Sequence, residues 1–135
     1  VLGFNAQATD TAHYLIAQGK KVTVIAPEAA EAFGAGQSMM LNAFVKPAFF
    51  AAGGRLMPEC TLKSVGDGEI VVTNSFGMDV TLACDCVVDA STMSPNTALA
   101  DELSGEFDVH VIGDAAEPSS IQNAITTGNL TARNC

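Results

Sequence analysis

Two turns hold most of the residues that could do chemistry. Gly3, Asn5 and Ala8 occupy the three places of a G-x-G-x-x-G pattern, immediately ahead of a periodic apolar stretch. A helix N-terminus leaves its first amides unpaired and carries partial positive charge, so it can hold a phosphate wherever the backbone comes close. Gly3 supplies the first glycine. Asn5 tolerates a left-handed backbone better than most residues, but its side chain is expected to project where a pyrophosphate would approach, while Ala8 adds only a methyl at the helix–strand contact. At the end of the next strand, where an acid would grip ribose hydroxyls, the chain has Ala26, and Glu28 follows Pro27 as a substitute. The next basic residue after Lys21 is Lys46, so nothing nearby in sequence would welcome a ribose 2′-phosphate; NAD is favoured over NADP. From this turn alone, dinucleotide binding and a purely structural βαβ unit are both open.

The second turn is Gly113-Asp114, at the mouth of an expected strand and ahead of a helix. An acid in that position is placed to hydrogen-bond a sugar or polyol hydroxyl, or simply to serve as a solvated loop residue. The four cysteines, Cys60, Cys84, Cys86 and Cys135, lack a metal-binding spacing. Cys84-Asp85-Cys86 on a strand would place both sulfurs on one face, as small buried apolar residues or, alternatively, as a redox pair. His13 and His110 stand alone, and no residue is a strong candidate for acid–base or nucleophilic catalysis.

A chain of 135 residues with 48% hydrophobic content is enough for a genuine core. A net charge of -9 would repel nucleic acid and anionic membrane. No apolar run approaches the roughly 20 residues of a membrane helix, and there is no charged-then-apolar leader, so a soluble, cytoplasmic protein is expected.

Val1 to Ala26 reads as strand, glycine turn, helix, glycine stop, strand, a right-handed parallel crossover. Val1 and Leu2 are expected to be the tail of a strand whose beginning is missing, which makes the chain a fragment. Ala8, Ala12, Leu15 and Ile16 recur at helical spacing, Asp10 is placed in the first turn, and Gly19 provides the left-handed stop. Lys21 to Ile25 is the second strand. The stretch 28–37 is a short helix or loop. Ser38 caps a predicted helix through Ala52, with a kink or restart near Lys46 ahead of Pro47. Met39, Met40, Phe44, Phe49 and Phe50 are its expected core face. Strands are predicted at Arg55–Met57, Thr61–Val65, Glu69–Thr73 and Met78–Ala83, with Cys86–Ala90 almost at once afterwards; short strands and tight turns here form an antiparallel meander. A brief helix at Thr97–Leu103, a strand at Asp108–Ile112 and a helix from Ile121 to Arg133 follow, the last presenting Ile121, Ala124, Ile125 and Gly128 along one face.

Together these segments resemble a family. GFNAQATDTAHYLIAQGKKVTVI is similar to the second, nicotinamide-binding glycine motif of pyridine nucleotide-disulfide oxidoreductase-type flavoproteins. VIGDAAEPSSIQNAITTGNLTAR is similar to their flavin-binding G-D segment, as found at the C-terminal end of old-yellow-enzyme-like NADH:flavin oxidoreductases of the dienoyl-CoA reductase and trimethylamine dehydrogenase type. The implied fold is α/β, a Rossmann-like parallel sheet with a small antiparallel meander, as a fragment of a larger FAD/NAD(P)-binding flavoprotein. Residues 1–106 would form the nicotinamide-nucleotide domain and residues 107–135 a strand–helix piece of an FAD domain.

The resemblance implies that Gly3 and the amides of Ala6, Gln7 and Ala8 face the NAD pyrophosphate, with Asp10 near the nicotinamide end. It implies that Asp114, following Gly113, binds the ribityl chain of FAD and that the helix starting at Ile121 lies near the flavin. Thr92 stands where the family usually has a glycine facing the nucleotide. The implied role is to position NADH for hydride transfer to FAD, the chain alone being inactive. FMN, an iron–sulfur cluster and the substrate barrel would belong to the rest of the flavoenzyme. Residues 107–135 are expected to dock on an exposed sheet edge of the nucleotide module or of a second copy, giving a homodimer. The alternative is a degenerate, non-catalytic nucleotide-binding or scaffold module.

Overall fold

A computed structural model describes all residues from Val1 to Cys135. The chain forms two compact units, Val1–Thr92 and Met93–Cys135. In the first, helix α1 (Ala6–Ala17) leads to strand β1 (Thr23–Ile25), helix α2 (Met39–Ala51), strand β2 (Arg55–Met57) and strands β3 (Thr61–Val65), β4 (Glu69–Thr73) and β5 (Asp79–Ala83). β1 pairs with β2 in parallel, Val24 opposite Leu56. Leu2 bridges in parallel to Ile25 on one side and Asp89 on the other, so the order across the sheet is β2, β1, Leu2, Asp89. Cys86–Ala90 thus contributes to the parallel sheet, while β3, β4 and β5 make the meander.

Alternation along the strands sends side chains to two separate cores. Phe4, Val24 and Ala26 pack with Ala12, Val22, Phe33 and Phe49 under the helices. Leu2 and Ile25 pack with Cys60, Ile70 and Val72 under the meander. The phenylalanines meet as an aromatic group, Phe33 lying 5.0 Å from Phe49 and 5.7 Å from Phe4 between ring centroids. Both faces of the parallel sheet are therefore covered, which is why its strands read as nearly continuous apolar runs.

The glycine stops work as expected. Gly19, at φ +76°, donates to the carbonyl of Ile16 at 2.8 Å, and Lys20 reaches Leu15 at 3.1 Å, the paired bonds of a Schellman ending. Gly53 and Gly54 repeat this on Phe50 and Phe49. Ser38 caps α2 by accepting from the Leu41 amide at 3.2 Å. The connection after β4 is tied by Asn74, whose side-chain oxygen accepts from the amides of Phe76 and Met78 at 3.0 Å each.

Several expectations are corrected. The α2 residues do not form a core face: Phe49 alone is buried, while Met39 is 89% and Phe44 73% exposed. One aromatic ring fills the gap between α2 and the sheet, and the neighbouring turns are left outside. α2 also continues through Pro47 without a restart. The cysteines of C-x-C are not a buried pair, since Cys86 is exposed and Cys84 packs only partly against the second core. α1 begins at Ala6, which places Asp10 beyond its first turn.

The second unit contains helix α3 (Ala98–Leu103), a 3-10 turn at Gly113–Ala115 and helix α4 (Ile121–Asn134). Asp108–Ile112 forms no strand. A strand exists only through its pairing, and β-branched composition does not substitute for a neighbour. α4 turns Ala124, Thr127 and Gly128 toward Ile112 and Gly113, and leaves Ile121 and Ile125 exposed. No helix of the chain is long and apolar enough to cross a membrane.

Candidate functional site

The site is built where the parallel strands end. Gly3 follows Leu2 at the point where the sheet order changes direction, with β1 on one side and the Asp89 segment on the other. Its amide donates to the Ile25 carbonyl at 2.8 Å, and on the other flank Ala90 donates to Leu2 at 3.0 Å. Gly3 has φ +107°, and a Cβ there would stand 2.8 Å from both the Ala90 oxygen and the Ser91 Cα. Only glycine allows the two chain segments to approach so closely.

A cleft of ≈ 330 Å³ opens beside this point, lined among others by Gly3, Ala26, Glu28, Asp89, Ser91 and Thr92. In open α/β sheets, ligands bind in the crevice outside the carboxyl ends of the strands, at this kind of switch point. The sequence-chosen residues Gly3, Glu28 and Thr92 therefore share one cleft, although they are far apart in sequence. Ala26 is buried and packs in the helix-side core, its backbone amide donating to Met57 at 3.2 Å and its carbonyl accepting from Cys60 at 3.0 Å. Glu28 is exposed there.

Asp89 was not singled out in the sequence. Its carboxylate accepts from the Ser91 hydroxyl and from the Ser91 amide at 3.0 Å, shaping the loop that borders the cleft. Those two bonds, the hydroxyl first, hold its carboxyl below the usual carboxylate range. An Asp two residues before a Ser at a strand end is a recognisable turn signal and could have been read as one.

Asn5 behaves differently from expectation. Its backbone is extended, φ -71° and ψ -179°, not left-handed. The side-chain oxygen caps α1 by accepting from the Ala8 amide at 2.8 Å. The side-chain nitrogen donates to Ala90 at 2.7 Å and to Ser91 at 3.2 Å, tying the helix start to the loop across the switch point. Ala6 and Gln7 form the first helical positions, and Ala8 is fully buried against the sheet. Asp10 lies one turn on and accepts from the Gln37 side-chain Nε2 at 3.1 Å.

Within the second unit, Gly113 has φ +58° and is buried against α4, donating to the Thr127 hydroxyl at 3.2 Å. Asp114 is exposed and accepts from the Ser119 amide at 3.2 Å, a loop-closing bond. Ile121 starts α4, capped by Ser120, whose hydroxyl accepts from Asn123 at 3.1 Å. No group of three or more His, Cys, Asp or Glu side chains is placed to hold a metal ion.

A parallel sheet with helices on one face, a meander on the other and a cleft at its switch point defines a Rossmann-like α/β module. No protein-family model matches the sequence, and no curated protein resembles it closely enough to count as a relative. Solved structures share the fold. One is 2-naphthoyl-CoA reductase in complex with 2-naphthoyl-CoA, with TM-score 0.83 and 26% identity over 94% of this chain and 19% of that chain. Histamine dehydrogenase from Rhizobium sp. 4-9 gives 0.82 and 18% over 98% and 22%. An engineered water-forming NADPH oxidase bound to NADPH gives 0.62 and 16% over 98% and 35%. The chain thus spans about a fifth of the length of the first two. The proteins it resembles are oxidoreductases, and the module is one they have in common.

Proposed function

We propose that the chain is the nicotinamide-nucleotide docking module of a flavin-dependent oxidoreductase, of the old-yellow-enzyme-like NADH:flavin type. The cleft at the switch point carries this proposal, and the likeness to an oxidase bound to NADPH supports it. The lining suits the sugar half of such a nucleotide: the Glu28 carboxylate can accept from ribose hydroxyls, and Ser91 and Thr92 line the same cleft. No Lys or Arg lines the cleft, which favours NADH over its 2′-phosphorylated counterpart. Gly3 and the start of α1 would border the pyrophosphate, with Asp10 toward the nicotinamide end. In the second unit, Gly113, Asp114 and the start of α4 at Ile121 would serve FAD, Asp114 accepting from a polyol hydroxyl.

NADH, when bound, supplies a hydride; this chain binds and orients it and contributes no acid, base or nucleophile. FMN, an iron–sulfur cluster and the substrate-binding barrel would lie in the remainder of the protein, and the 135-residue chain by itself is expected to be inactive. The scaffold alternative draws on one observation: Asn5 already caps the helix that a phosphate would approach. Calorimetric titration with NADH and NADPH separates the two. Binding of NADH in preference to NADPH supports docking, and heat from neither favours the scaffold.

A further inference from the structure

The Asn5 side chain makes three hydrogen bonds, two more than a helix cap requires. Its oxygen occupies the Ala8 amide at 2.8 Å, in the manner of a phosphate oxygen at a helix N-terminus. Its nitrogen is fixed at 2.7 Å to the Ala90 carbonyl and 3.2 Å to the Ser91 carbonyl, so the side chain is held from both ends and ties the start of α1 to Ser91, a residue that lines the cleft. We propose that Asn5 is a built-in surrogate for a ligand phosphate, a positioning residue that withholds the Ala8 amide and thereby sets how strongly the cleft discriminates phosphorylated from unphosphorylated ligands. This rests on nucleotide docking at the cleft.

The physical consequence is a competition. A pyrophosphate that reaches for the Ala8 amide must displace the Asn5 oxygen, and one net hydrogen bond given up corresponds to about tenfold in affinity. A nucleoside lacking phosphate does not enter that competition. Bare steric intrusion would act differently, since any smaller side chain would relieve it.

Two substitutions separate these cases. Asn5→Gly removes cap and tie, and glycine is itself a tolerated N-cap, so the fold is expected to survive. Asn5→Ser keeps a capping oxygen for the Ala8 amide but cannot span to Ala90 and Ser91. Calorimetry on the 135-residue chain with NADH, ADP and adenosine is the test. The expected result is that Asn5→Gly binds NADH and ADP about tenfold tighter, that Asn5→Ser stays near the parent chain, and that adenosine binding changes less than about twofold in both. If NADH binds and Asn5→Gly leaves its affinity unchanged, or if Asn5→Ser tightens as much as Asn5→Gly, the surrogate is overturned while docking stands. If NADH and ADP bind neither the parent chain nor Asn5→Gly, docking itself is overturned, and the surrogate with it.

Discussion

At Gly3, Asn5 and Asp89, single side chains or their absence determine how close two strands and a loop can come. Gly3→Ala would combine a positive φ of +107° with a Cβ 2.8 Å from the Ala90 oxygen. Strained backbone plus overpacking is expected to lower stability by on the order of 3 kcal/mol, read by urea denaturation. A loss below about 0.5 kcal/mol would mean that the approach is looser than described. Asp89 carries a pH dependence. Its folded carboxyl lies below its ordinary value because Ser91 bonds the ionised form, so the stabilisation is present above that ordinary value and is lost as pH falls through the lowered one. The stability difference between the parent chain and Asp89→Asn is therefore expected to shrink on acidification. A difference that grows instead would contradict the assigned bonds.

Single residues also mark where the sequence was readable. Gly19, Ser38 and Gly53 each serve the local role their type predicts, because capping and stopping depend on a few adjacent residues. Asn5, read as a departure from glycine, is also of a preferred N-cap type, but its tie across the switch point leaves no local mark. Its partners Ala90 and Ser91 are far away in sequence, and no local pattern reveals that the side chain reaches them.

At the scale of elements, α2 gives the clearest contrast between composition and burial. Its mean apolarity led to an expected core face, yet only Phe49 is inserted, touching His13, Phe33 and Phe50 in ring contacts. Phe49→Ala is expected to cost about 3–5 kcal/mol by denaturant unfolding, through the cavity it leaves. Phe44→Ala and Met40→Ala, on the exposed side, are expected to stay within about 0.5 kcal/mol. Comparable losses at all three would restore the core-face expectation. Helical periodicity shows that a face is apolar but not that anything lies against it. The same limit applies to Asp108–Ile112, whose β-branched residues predict a strand that does not form; pairing is a property of two segments, and composition describes only one.

For the whole molecule, the architecture was legible because the βαβ opening, the meander turns and the chain order each leave a local signature. The cleft was legible in part: Gly3, Glu28 and Thr92 were named, while Asp89 and the bridging role of Asn5 emerge only when strand ends meet. Nucleotide docking at that cleft is the central claim, and the amide spectrum of the isotopically labelled chain during NADH addition tests it most directly. Shifts are expected at Gly3, Ala6 to Ala8, Glu28, Ser91 and Thr92. Saturating NADH with no shift at these positions, or with shifts confined elsewhere, would contradict it.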